Sequence, residues 1–198
     1  ADHLLRTGPM PFDQVAEIGA GLARTLSAAH AAGVLHRDLK PSNLLLRNAH
    51  EALITDFGAA TSVEPAASSD TLSMTVMYSA PEVLEGARPD PRSDVYSLGA
   101  TLYAMALGQH PLGPADSGAL AKLVGRICTT GLPDPASSGV SGPLGAVIRS
   151  AVEVDPDRRT PDAGALAEAL AAVMAGGSVA EVVEAVPAGT VRRPRRWG

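Results

Sequence analysis

From Phe12 to Ala32 apolar residues return every three or four positions. Val15, Ile18, Leu22, Leu26 and Ala29 fall on one face of a predicted helix, and Gly33 is placed to stop it. Three apolar runs follow, Val34-Leu35, Leu44-Leu45-Leu46 and Leu53-Ile54-Thr55. They are too short for helices and read as strands, with a turn at residues 48–51. Residues 59–73 are small and polar without a period, which predicts a loop. Val95, Leu98, Leu102 and Met105 mark a second helix that ends at Gly108, with Asp94 placed to cap its start. Its surface is apolar nearly all round, so it is expected to be buried. Further helices are expected over 118–128, 144–154 and 161–175, the last with Thr160 at its N-cap and Pro161 at its first position. The pattern is therefore mainly α, with a few short strands and no internal repeat. Gly19-Ala20-Gly21 lies inside the first helix. Arg24 stands where a phosphate-cradling loop needs its third glycine and no strand precedes, so these glycines are read as a tight helix crossing.

Composition narrows the setting. The 198 residues suffice for one domain, and 45% are hydrophobic but only 3% aromatic, so the core must be built of Ala, Leu and Val. A formal net charge of -5 argues against a nucleic-acid partner. Cys128 is the single cysteine, which excludes an internal disulfide and suits a reducing, cytoplasmic compartment; it is read as a small buried apolar residue. No apolar run reaches bilayer length, so no transmembrane segment is expected. Ala1-Asp2-His3 shows no signal-peptide pattern, and without an initiator Met the chain is either processed or part of something longer. His3, His30, His36, His50 and His110 have no metal-site spacing. Residues 176–198 read as a disordered tail ending in Arg192-Arg193-Pro194-Arg195-Arg196-Trp197, either a solvated end or a contact for an anionic partner.

The chemistry concentrates in His36-Arg37-Asp38-Leu39-Lys40-Pro41-Ser42-Asn43. Asp38 can accept a proton from a hydroxyl, Lys40 can neutralise a phosphate, and Asn43 offers a neutral oxygen to a hard cation. A polar loop between apolar runs is a frequent setting for catalytic groups. Asp56-Phe57-Gly58 follows the last short run, and Ala80-Pro81-Glu82 comes later.

Together these stretches fit H-R-D-L-x-x-x-N, D-F-G and A-P-E in order, and the chain resembles the protein kinases. Lys40-Pro41-x-Asn43 is similar to the serine/threonine branch, of the bacterial Hanks type. The resemblance implies the mostly helical large lobe of a kinase over residues 1–175, with motif matches over 12–175 and the N-terminal β lobe absent. It implies ATP and Mg2+ as cofactors and a protein substrate. Asp38 would orient and deprotonate the substrate hydroxyl, Lys40 would stabilise the transferring phosphoryl group, and Asn43 and Asp56 would hold magnesium. Lys40, Ser42, Asn43, Leu45 and Asp56 would line the nucleotide site, Leu45 beneath the adenine. Arg37 before the catalytic aspartate resembles kinases switched by loop phosphorylation, with Thr71 the first candidate acceptor and Ser62, Ser68, Ser69 and Ser73 also in the loop. Thr75 matches the threonine that contacts the catalytic aspartate, although Met74 replaces the usual glycine before it. Glu82 and Arg159 match a structural ion pair, in the order Arg159-Thr160-Pro161 where Arg-Pro-Thr is usual. Asp94 matches a buried aspartate that holds the catalytic loop from below, and His36 a core-packing histidine.

A kinase also needs a glycine-rich loop and a strand lysine on the nucleotide. Only 35 residues precede His36, and the chain's lysines are Lys40 and Lys122. Two readings follow. One is a serine/threonine kinase catalytic lobe that works with an N-terminal lobe outside these residues; the other is a pseudokinase-like protein-binding module without activity.

Overall fold

The computed structural model describes residues 8–57, 75–113 and 120–184. It is mostly helical. Helix α1 (Phe12–Ala31) is followed by one 3-10 turn (Pro41–Asn43) and an antiparallel hairpin of β1 (Leu44–Asn48) and β2 (Glu51–Ile54). A short helical turn at 75–78 leads to α2 (Pro81–Leu84), α3 (Pro91–Leu107), α4 (Leu120–Thr130), α5 (Gly142–Ala151), α6 (Ala163–Met174) and α7 (Val179–Glu184). Among the described residues the hairpin is the only sheet. No helix there is long and apolar enough to cross a membrane.

Helix α3 is the axis of the lobe. Its uniform apolarity has a direct cause: it packs on two sides. Val95, Leu98, Leu102, Tyr103 and Met105 join the main core with α1, α5 and α6. Tyr96, Ala100 and Ala104 face a second cluster that holds Met77, Tyr78 and Ala80. Gly108, at φ 69°, ends α3 in the left-handed conformation that favours glycine. Gly19 sits where α1 crosses its neighbours, and a Cβ there would lie 2.9 Å from both Leu102 methyls and 3.1 Å from Leu170 Cδ1. Gly21 faces open space, so only the first of the two glycines serves the crossing.

Several boundaries differ from the sequence pattern, each for a local reason. Val34-Leu35 is not a strand. Gly33 N donates to His30 O and Val34 N to Ala29 O, closing the C-terminus of α1, with Gly33 at φ 80°. Asp90, not Asp94, caps α3; it accepts from Arg92 N and Ser93 N, and Ser93 Oγ accepts from Asp90 N in return. Asp162, not Thr160, caps α6 and accepts from Ala165 N at 2.9 Å. Thr160 is buried against Ser150, and Pro161 precedes the helix. Helix α5 ends at Ala151, because residues 152–158 turn to present Arg159. Residues 179–184, expected within a disordered tail, instead form α7, which packs on α5 and α6 with Val182 fully buried; residues 185–198 of that expectation lie outside the described residues. Cys128 is half-buried, its thiol 3.7 Å from Pro81 O, and burial pushes its pKa up.

Candidate active site

The loop from His36 to Asn43 hangs on a single carboxylate. Asp94 is buried in α3 and accepts three bonds: from His36 N and from His30 Nε2 at Oδ2, and from Arg37 N at Oδ1, all at 2.8 Å. These bonds hold Arg37 at φ 71°, a left-handed conformation that costs a non-glycine residue about 1–3 kcal/mol. The Arg37 side chain is exposed. His36 is buried and spans the site. Its Nδ1 accepts from Asp38 N at 3.3 Å, so Nε2 is the donor to Thr55 O at 2.8 Å.

Three candidate groups meet at the loop's outer side. Lys40 Nζ lies 2.9 Å from Asp38 Oδ2 and 2.9 Å from Thr75 Oγ1. Asn43 Nδ2 donates to Asp38 O at 2.7 Å and to Asp38 Oδ2 at 3.0 Å. Thr75 therefore touches Lys40, and meets the aspartate through it. Buried Leu39 and Pro41 fix the backbone between these groups, and Ser42 is exposed on the 3-10 turn.

The hairpin supplies the opposite wall. Thr55 N and Oγ1 both bond Asn43 O, at 2.9 and 3.1 Å, and this ties the end of β2 to the His36–Asn43 loop. Asp56 comes next, exposed and at φ 61°. Phe57 packs edge-on against His36, with ring centroids 4.9 Å apart. Gly58 lies outside the described residues, as do Thr71, Ser62, Ser68, Ser69, Ser73 and Met74. Leu45 is 59% exposed, and Leu46, Leu53 and Phe57 are exposed too; Leu45 and Leu53 are cross-strand partners on one face of the hairpin. The oxygen donors suit a small hard cation. The amide nitrogen of Asn43 is engaged by Asp38, which leaves its side-chain oxygen as ligand atom, and Asp56 offers a carboxylate. Among the described residues no group of three or more His, Cys, Asp or Glu could hold a metal. Such a cation would need further oxygens from phosphate and water, as magnesium usually takes.

Away from the cleft, Arg159 and Glu82 form a bidentate pair at 2.8 and 2.9 Å. Every remaining Arg159 donor meets a carbonyl: Nε that of Glu153, Nη1 that of Arg92, Nη2 that of Val154. The guanidinium lies over the Tyr96 ring, 5.0 Å from its centroid. Burial works to raise the Glu82 pKa, but the Arg159 bonds and charge outweigh it and hold the carboxyl below its ordinary value. Ser93, in the cap of α3, also donates to Glu82 at 3.0 Å.

Two histidines of this framework were not singled out by sequence reasoning. His30 on α1 reaches Asp94, and its signal is a polar residue on the buried face at the helix end, six positions before His36. His110, after α3, bonds Met77 O, and no pattern in the sequence marks it.

The geometry agrees with the comparisons. Residues 1–170 match the family model described as protein kinase domain. The chain is 36% identical over 198 residues to the serine/threonine-protein kinase PknJ of Mycobacterium tuberculosis, covering 95% of this chain and 33% of that protein. It is 40% identical over 195 residues to PknK of the same organism, covering 95% of this chain and 17% of that protein. With PknA of M. tuberculosis it shares 35% identity over 175 residues, 87% of this chain and 40% of that protein. The chain thus spans less than half the length of these relatives. A family match over most of the chain, on a helical lobe that joins Asp38, Lys40 and Asn43 in one loop, places it in the protein kinase family, among the bacterial serine/threonine kinases.

Proposed function

We propose that the chain is the catalytic lobe of a serine/threonine protein kinase, transferring a phosphoryl group from ATP to a protein hydroxyl together with a nucleotide-covering lobe outside these residues. The observation that carries this reading is the cluster of Asp38, Lys40, Asn43 and Thr75, a base, a cation, a metal ligand and a hydroxyl linked at 2.9–3.0 Å. Asp38 accepts the substrate's proton; Lys40 neutralises charge on the phosphate oxygens; Asn43 and Asp56 would hold magnesium, which supplies positive charge between the phosphates. Phosphoryl transfer needs positioning and neutralisation more than covalent help, and this loop offers both. Arg37 and Thr71 belong to a phosphorylation switch in this reading, and Ser42 and Leu45 to the nucleotide site. A purely protein-binding role gives no chemical use to a lysine and an asparagine converging on one carboxylate. The single cysteine suits a cytoplasmic setting.

The test is an assay of the chain alone and of the chain fused behind a kinase N-terminal lobe, with magnesium, ATP and a serine/threonine peptide. The chain alone should show little transfer, since no lysine precedes Lys40 to hold the triphosphate from the other side. The fusion should turn over, and Asp38→Asn should lower its rate about 10²–10⁴-fold, the usual worth of a positioned general base. Turnover indifferent to Asp38→Asn, or none in the fusion, overturns the reading.

A further inference from the structure

The segment from Thr75 to Ala80 runs from the Lys40 contact to the start of α2, and something must set its height in the cleft. We propose that His110 is a positioning residue for this segment, holding Met77 and Tyr78 from beneath through a neutral imidazole with its proton on Nε2. This rests on the kinase reading above, in which Thr75, bonded to Lys40, sets 75–80 beside the loop that would take the substrate hydroxyl.

His110 is 7% exposed and belongs to a turn just beyond α3. Its Nε2 lies 2.9 Å from Met77 O, and its Nδ1 accepts from Leu112 N at 3.1 Å. A nitrogen that accepts from an N–H carries no proton, so the two bonds select one tautomer. The ring also meets Tyr78 edge-on, with centroids 4.9 Å apart and planes at 86°. Burial holds its pKa down at about 4, against the Met77 bond, which works to raise it. The turn itself is fixed. Gly113 N donates to His110 O at 2.8 Å, and a Cβ on Gly108 would lie 2.5 Å from Pro9 N, so the chain leaves α3 along one tight path.

The anchored segment is bonded within itself. Residues 75–78 form a helical turn, Ser79 N donates to Val76 O, and Ser79 Oγ donates to Thr75 O. A displacement at Met77 therefore shifts Thr75 and its bond to Lys40. Packing alone does not account for the residue type. An apolar side chain could fill the space, but it would leave the Met77 carbonyl and the Leu112 N–H without these bonds.

The experiment uses the whole chain. Nitrogen-detected NMR of the imidazoles at pH 7 should show His110 with Nε2 protonated and Nδ1 bare, unchanged down to pH 5. Amide exchange at Ser79 should quicken about tenfold or more in His110→Leu and return near wild type in His110→Gln, which keeps a donor toward Met77. Amides of α1 and α6 should not change. In the fused form assayed above, His110→Leu should raise the peptide KM and leave the ATP KM alone. An imidazole that titrates near its ordinary pKa, unchanged Ser79 exchange, faster exchange spread over α1 and α6, or an unmoved peptide KM each overturns the proposal. Absence of transfer in the wild-type fusion, with exchange as expected, overturns the kinase reading instead and leaves the His110 anchor standing.

Discussion

The underside of the His36–Asn43 loop and its cleft side are built on opposite terms. Underneath, the two buried charged groups are answered within the chain: Asp94 accepts three donors, and all five N–H groups of Arg159 find oxygen. On the cleft side Asp56 is exposed, and the paired Leu45 and Leu53 lie open along the hairpin. The first region is a support that needs no partner. The second has the composition of a surface meant to be covered: apolar, next to a carboxylate and a lysine. Substitutions should therefore separate the two. Those underneath should act on stability, and those on the cleft side should act on ligands.

The largest effect is expected at Arg159. Arg159→Ala strands Glu82 in a half-buried site and frees three carbonyls, so unfolding should become easier by about 3–5 kcal/mol. Arg159→Lys should recover little, because one ammonium cannot replace a planar fork with five donors. Urea unfolding of the three proteins checks this; a midpoint in Arg159→Ala equal to wild type would remove the clamp from the underside.

Acid should attack the same side. His110 is neutral in the fold at about pKa 4, against an ordinary 6.5 in the unfolded chain. As pH falls, the unfolded chain takes up this proton first. The contribution is therefore complete above pH 6.5, is lost between 6.5 and 4, and amounts to about 3 kcal/mol. His110→Gln should flatten that interval in a series of melts. Glu82, held low, adds a loss of the same sign only as pH falls below its ordinary 4.5, so the two separate on the pH axis.

Helix crossing offers a smaller contrast. Gly19→Ala pushes a methyl into Leu102 and Leu170 and should cost about 1–3 kcal/mol, while Gly21→Ala, in open space on the same helix, should gain up to about 1 kcal/mol from helix propensity. Equal melting shifts for the two would mean that α1 does not crowd α3.

How far the sequence spoke depended on the kind of signal. Periodicity placed α1 and α3 because one face, or all faces, of each must be apolar. It missed the caps because Asp90 and Asp94, four residues apart, both suit a helix start, and only tertiary contacts decide which one the His36–Asn43 loop takes. Val34-Leu35 misled for the same reason: an extended dipeptide looks alike whether it pairs with a strand or closes a helix. The motif residues were legible as residues. Their coupling was not, since His30 acts through the Asp94 carboxylate 64 positions away and His110 through the Met77 carbonyl 33 positions away. No local pattern encodes such contacts.

The smallest stability effect carries the sharpest test of the comparison. Leu45 is exposed on β1, so Leu45→Ala removes little buried area and should change the unfolding free energy by no more than about 0.5 kcal/mol. If the cleft side is a floor for a nucleotide base, the same substitution should weaken ATP binding to the fused form, because a flat apolar contact of this kind gains its burial only when the ligand arrives. Leu53→Ala, also exposed on the hairpin, serves as the companion. A change in ATP affinity at Leu45 with unchanged melting supports the division between a self-sufficient underside and a surface completed by ligand. A large melting shift at Leu45 with unchanged affinity would mean that this leucine works inside the lobe, and that the exposed hairpin face is part of the support.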